Sequence, residues 1–234
     1  MKSLKDKVAV ITGGNDGIGK QIALKLSKKG VKLALVARNE EKLKTTADEI
    51  GADVAHIYVC DIKDSDQRKE TVDQILKDFS GIDILINNAG IIHKLMPLEE
   101  MDEELIDDII QTNLTGLILF TKLLLPTLKS SPEAAIINIS SIAGILARPG
   151  FAAYSASKYG VRGFTDVLKA DLKETNIKVA GMYQGGVNTD LFNKAGDTKR
   201  PLESYTEPDD LAEVISFMLS QPDKCWLHEI HVAH

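Results

Sequence analysis

Seven short runs rich in β-branched and apolar residues recur along the chain, separated by longer segments of helical spacing. The runs are KVAVIT, KLALVA, VAHIYV, DILINN, AAIINIS, IKVAGMY and, near the end, LHEIHV. They are apolar almost continuously rather than alternately, which is the pattern of strands buried on both faces. Between them lie segments such as GKQIALKLSKKG and EEKLKTTADEI, whose apolar residues fall at helical intervals. Strand–helix alternation of this kind admits few solutions. A parallel sheet covered by helices on both sides is the simplest, with ligands at the carboxyl ends of the strands. The expectation is an α/β, doubly wound, three-layer fold of about seven strands.

At 234 residues, 44% of them hydrophobic, the chain suits one domain, residues 1–234, with a sizeable core. It has no internal repeat and no Pro/Gly/Ser-rich linker. One long helix is expected from Met101–Asp102 through Asn113 towards Pro126, and a second after Pro149–Gly150, carrying YSASK and ending around ETNI. The polar stretch 191–207 has no clear periodicity; beside a strand end it is expected to form a substrate lid.

A net charge of −6 argues against nucleic acid as a partner, since phosphate binding needs a positive surface. The chain shows no secretory hydrophobic run and nothing near the roughly 18–20 apolar residues that span a bilayer. Its most apolar region, LTGLILFTKLLLP, is interrupted by Thr121 and Lys122 and stopped by Pro126. Cys60 and Cys225 fit neither a metal-site spacing nor a disulfide framework and read as free thiols in a reducing cytoplasm. His228, His231 and His234 crowd the C-terminus, but strand alternation sets His231 opposite the other two, so no metal is expected. His93, shortly after NNAG, could reach the substrate cleft, though a solvated loop histidine is the preferred reading; Trp226 is expected as an edge or subunit contact.

The first strand runs straight into TGGNDGIG, Thr12 to Gly19, and then a helix. Residues without a Cβ let such a turn bend tightly and admit a pyrophosphate, which meets free N–H groups and the positive end of the helix dipole. The second strand ends LVARNEE, with Arg38 present and no carboxylate before Glu40. A guanidinium suits a 2′-phosphate where an acidic residue would grip a 2′-hydroxyl. NADP(H) is therefore preferred, with NAD(H) the alternative; Asp16 sits where a further base would help, so the preference rests on Arg38.

Together these residues resemble the short-chain dehydrogenase/reductase family, a Rossmann-fold family, over essentially the whole chain. TGGNDGIG resembles its T-G-x-x-x-G-x-G cofactor turn, implying contacts from Gly13, Asn15, Asp16, Gly17, Ile18 and Gly19. CDIKD implies Asp61 and Ile62 at the adenine, and NNAG implies Asn88, Ala89 and Gly90 along the cofactor. After the sixth strand the family's Pro-Gly is here QGGVNT, with Gln184 in the proline's place; Gly185, Val187 and Thr189 match the residues at the nicotinamide. Asn113, Ser141, Tyr154 and Lys158 fall where the family keeps its catalytic four, the last two also touching the cofactor. The ending WLHEIHVAH lacks the glycine-rich closing strand typical of acyl-carrier-protein reductases.

The chemistry this implies is hydride transfer between a cofactor and a carbonyl or alcohol, for which the protein supplies a proton and the geometry. Tyr154 would be the acid/base. Lys158, four residues on and on the same helical face, would lower its pKa through its charge. Ser141 would hydrogen-bond the substrate oxygen, while Ser140 faces the other way. The resemblance gives Asn113 the holding of a water that reaches Lys158. A 3-oxoacyl-carrier-protein reductase is the alternative activity, and an NADP-binding sensor without turnover the alternative of another class. Homodimers or homotetramers are common in the family.

Overall fold

A computed structural model of the chain describes every residue from Met1 to Ala233 other than Lys2, Arg200 and Asp223. Among the described residues are seven strands: β1 (Val8–Thr12), β2 (Lys32–Ala37), β3 (Ala55–Val59), β4 (Ile84–Asn87), β5 (Ala134–Ile139), β6 (Ile177–Gln184) and β7 (Glu229–Val232). They lie in the order β3-β2-β1-β4-β5-β6-β7, and every pairing is parallel. The helices are α1 (Gly17–Ser27), α2 (Glu40–Ile50), α3 (Ser65–Asp78), α4 (Glu103–Ile110), α5 (Gly116–Ser130), α6 (Ala152–Asp171), α7 (Leu191–Lys194) and α8 (Pro208–Leu219).

The unbroken apolar character of the strands now has its cause, because each face meets its own helical layer. Ala9 and Ile11 of β1 pack with Ile22 and Leu26 of α1, Leu43 of α2 and Ile215 of α8. Val8 and Val10 of the same strand pack with Ile75 of α3, Phe120 and Leu124 of α5 and Leu168 of α6. Each fully buried Leu or Ile contributes about 1.5–3 kcal/mol relative to an exposed one. A thin line of polar groups crosses this apolar interior. Asn87 Nδ2 donates to Thr121 Oγ1 (2.9 Å) and Asn138 Oδ1 (2.8 Å), and Asn138 Nδ2 donates to Thr165 Oγ1 (2.9 Å).

Sheet order reverses between β1 and β4, so the chain winds outwards from that point in both directions. Their carboxyl ends leave a crevice there, the place such folds use for ligands.

Three local expectations change. Pro126 does not stop its helix but lies inside α5, where its missing N–H forfeits a single bond while Leu124 and Leu128 anchor the helix in the core. Helix α4, a π-helical turn (Gln111–Thr115) and α5 run on continuously from Glu103 to Ser130, 28 residues long and apolar enough by length and composition to cross a membrane. In the fold this stretch packs on the sheet, and its π-turn holds Asn113 fully buried. Helix α6 ends at Asp171, short of ETNI, and Thr175 Oγ1 donates to Leu172 O just beyond it (2.7 Å).

Within residues 191–207, α7 is followed by a 3-10 turn at Leu202–Ser204, and Leu191 and Phe192 pack on Ile92, Ala143, Phe151 and Tyr154. Cys60 is buried and Cys225 exposed, both as free thiols. Trp226 Nε1 donates to Val179 O at the β7 side of the sheet (3.0 Å), and the His231 ring stands edge-on to Tyr183. His234, and Arg200 within the expected lid, lie outside the described residues.

Candidate active site

The turn after β1 is shaped by its neighbours. Gly13 has φ +67°, and a Cβ there would lie 2.8 Å from Asn88 Nδ2, so the backbone conformation and the space both require glycine. Asn88 fastens the end of β4 to this turn, donating from Nδ2 to Thr12 O (3.0 Å) and Gly13 O (3.2 Å). The Thr12 hydroxyl accepts from the backbone N–H groups of Asn88 and Ala89. Asp16 caps α1 by accepting from Gly17 N (2.8 Å). The remaining N–H groups of that first turn have no intrahelical acceptor and are available to an anion.

Gly13, Asn15, Asp16, Gly17 and Ile18 line a cleft of about 690 Å³ at the carboxyl edge of the sheet. Gly19 does not. A Cβ on it would come within 2.2 Å of Gly13 O, so its lack of a side chain serves the packing of helix on turn.

The far end of the cleft is lined by Arg38, Asp61 and Ile62, at the ends of β2 and β3. Arg38 is half-exposed and, among the described residues, pairs with Asp61 alone, at 3.7 Å. Two lysines not singled out in the sequence line the same cleft. Lys42 of α2 and Lys194 of α7 both donate to Asp16 Oδ2, at 2.6 and 2.8 Å. Burial raises the Asp16 pKa, but these bonds and the Gly17 N–H outweigh it and bring the carboxyl down to about 2. Lys42 was findable, one turn beyond Arg38; Lys194 lies where the sequence has no pattern.

At the other end Ala89, Gly90, Tyr154, Lys158 and Thr189 line the cleft. Gly185, Val187 and Ser141 line a smaller adjoining cavity of about 210 Å³, and Tyr154 faces both. Ser141 Oγ donates to Gln184 O (3.3 Å), accepts from Ala143 N (3.1 Å) and bonds the Tyr154 hydroxyl. Ser140 turns away and donates to Lys158 O (3.0 Å), as strand alternation requires.

Asn113 lines neither cavity. Its Nδ2 donates to Ile91 O (2.9 Å) and Ser157 Oγ (3.1 Å), and its Oδ1 accepts from Ile91 N (2.8 Å). Both amide hydrogens are thus engaged, one on the loop after β4 and one on Ser157 of α6, leaving only acceptor capacity for a water.

The helical spacing predicts a phenol made acidic by Lys158, and here burial dominates instead. It pushes Tyr154 up to about 12, with the Ser141 bond pulling the other way. Burial also brings Lys158 down to about 8. The ammonium donates to Ile139 O (3.1 Å) and sits 5.8 Å from the centre of the Tyr154 ring.

His93 departs from expectation more sharply. It is 3% exposed, lines the cleft and stands edge-on to Phe151, whose ring neighbours that of Tyr154. A loop histidine is solvated only if nothing packs over it, and Phe151, the residue just before α6, does so here. Gln184 also lines both cavities.

Both the fold and the sequence of the chain are matched by known proteins. The sequence profile described as short chain dehydrogenase matches residues 7–200. An uncharacterised oxidoreductase of Staphylococcus aureus strain MRSA252 is 34% identical over 237 residues, 99% of either chain. A 3-ketoacyl-(acyl-carrier-protein) reductase from Brucella melitensis, solved with NADH, superposes with a TM-score of 0.90 at 33% identity, covering 99% of this chain and 98% of that one. A metagenomic short-chain oxidoreductase solved with NADP gives 0.86 at 32% identity, covering 99% of both. The chain belongs to the short-chain dehydrogenase family and is an oxidoreductase.

Proposed function

We propose that this oxidoreductase interconverts a carbonyl and an alcohol using a nicotinamide dinucleotide, with the phosphorylated form preferred. One observation carries the reading: the Tyr154 hydroxyl, bonded to Ser141, opens on the same cleft as Lys158 and the glycine turn. The cleft volume suits a long ligand, and the space kept open at Gly13 together with the first turn of α1 suits its pyrophosphate. A bound reduced nicotinamide supplies the hydride.

The protein's part follows from its own groups. With its pKa pushed up to about 12, the Tyr154 phenol is protonated at neutral pH and is a donor towards a substrate oxygen. Ser141 stabilises the charge that develops on that oxygen. Lys158, near 8, remains mostly charged at pH 7 and favours the phenolate once Tyr154 has given up its proton. Arg38 and Lys42 would hold the 2′-phosphate, Lys42 by exchanging Asp16 for it.

The likeness to a 3-ketoacyl-(acyl-carrier-protein) reductase supports a second reading, reduction of an acyl thioester. The test is consumption of NADPH with a panel of ketones, aldehydes, diketones and acyl thioesters, repeated with Tyr154→Phe. The variant is expected to lose at least roughly a hundredfold in kcat. Undiminished turnover in it, or cofactor binding with no turnover of any carbonyl by the parent protein, would sink the reading in favour of a sensor.

A further inference from the structure

Buried polar atoms normally have partners, and one that lacks them in a ligand cleft marks where a ligand's own polar group belongs. Among the described residues lining the main cleft, His93 Nε2, Thr112 Oγ1 and Gln184 Oε1 are buried without a hydrogen-bond partner. Thr112 lies one helical turn from Asp108, whose carboxylate pairs with Lys63 beside Asp61, at the adenosine end. His93 and Gln184 belong to the other end. The His93 ring is 5.7 Å from that of Phe151, which is 5.7 Å from the ring of Tyr154. Gln184 lines both cavities, as Tyr154 does, and its backbone carbonyl accepts from Ser141 Oγ (3.3 Å). The two lone groups thus flank the Tyr154–Ser141 pair.

Their chemistry is the same. His93 Nδ1 lies 2.7 Å from Lys94 O, which can only accept, so Nδ1 carries the hydrogen and Nε2 of the neutral ring is an acceptor. Gln184 Oε1 is an acceptor by nature. Both therefore call for donors on the ligand. Lys94 and Lys158 line the same cleft and Arg148 the side cavity, which disfavours an ammonium there. The carboxylate of Asp190 on the cleft wall is already 3.7 Å from Lys194. A neutral hydroxyl fits these walls.

We propose that His93 and Gln184 form a recognition site for hydroxyl groups of the substrate. The enzyme then acts on hydroxylated carbonyl compounds, and on the corresponding diols in reverse, ahead of plain alkyl ketones. The inference rests on the carbonyl–alcohol reading of the cleft and names its substrate class. Gln184 gains a role at the position where the family's proline would offer no side-chain hydrogen bond.

The experiment compares hydroxy ketones with analogues in which methyl replaces hydroxyl, such as 1-hydroxy-2-butanone against 3-pentanone, with NADPH. The parent protein should favour the hydroxylated member by about tenfold or more in kcat/KM, expressed mainly in KM. His93→Leu and Gln184→Leu should each reduce that ratio about tenfold, and His93→Gln, which keeps an acceptor, should recover part of it. Thermal unfolding confirms that each variant is folded, and the two Leu variants lie on separate elements, so either can carry the test alone. A parent ratio near one, or Leu variants that keep the parent ratio, overturns the inference and leaves the oxidoreductase reading standing. Failure of every carbonyl to react with NADPH bound removes both.

Discussion

Lys158 is held in a site that disfavours its charge, and that has a measurable cost. Burial brings its pKa from 10.5 down to about 8. Between those values the unfolded chain binds more protons than the folded one, so this group makes stability rise with pH across the window, and the full penalty applies below about 8. The difference corresponds to about 3 kcal/mol. Lys158→Met should therefore be more stable than the parent at pH 7, by on the order of 1–3 kcal/mol in urea unfolding, and less dependent on pH between 8 and 10.5, while losing turnover. Identical pH slopes in the two proteins would contradict this account of the site. The positions of Tyr154, Lys158 and Ser141 were legible because a helical spacing and a strand end place them. The direction of the Tyr154 shift was not, because burial is a property of everything packed around the phenol rather than of the residue four places away.

Helix α2 begins at the Arg38 end of the cleft, with Asn39 capping it and accepting from Lys42 N (2.8 Å). That cap fixes the first turn, from which Lys42 reaches Asp16, and Lys42 and Arg38 both line the cleft. Arg38→Ala should raise the KM for NADPH by about tenfold or more, and Lys42→Ala by several-fold, with the KM for NADH changing little. Parallel effects on the two cofactors would remove the case for the phosphorylated form. Elements with strong periodicity were readable to within a residue or two: EEKLKTTADEI is α2 as it stands. The π-helical turn was not readable, since nothing in QTNLTG separates it from an ordinary helix, and it is this turn that carries Asn113 inwards to the Ile91 backbone. Likewise Lys194 could not be linked to Asp16 from a stretch without a pattern.

The sheet as a whole presents its ligand site at the ends of strands that the chain visits far apart in sequence, so a molecule seated there braces distant segments against one another. Binding to the folded chain alone stabilises it by mass action, about 2.7 kcal/mol when the ligand is at 100 times its dissociation constant. For a chain of this size NADPH should then raise Tm by roughly 5–11 °C in a thermal melt. NADH at the same concentration should give a smaller rise, and no shift with either would argue against the cleft as a dinucleotide site. Fold class and strand positions were legible throughout because doubly buried parallel strands leave an uninterrupted apolar signature. The wall near Tyr154 was not fully so, because the burial of His93 and Gln184 depends on neighbours on other elements.

The amide pair in the middle of the sheet, Asn87 opposite Asn138, also bears on how the strands find their alignment. Parallel neighbours have no tight hairpin to fix their offset, and a row of interchangeable aliphatic side chains would accept several. Sliding β4 by one residue against β5 would strand both amides in hydrocarbon, a penalty of a few kcal/mol. Two asparagines thus act as an indexing notch for the central strands: replacing both by leucine would keep the bulk while letting wrong offsets compete, and with them misplaced loops around the crevice.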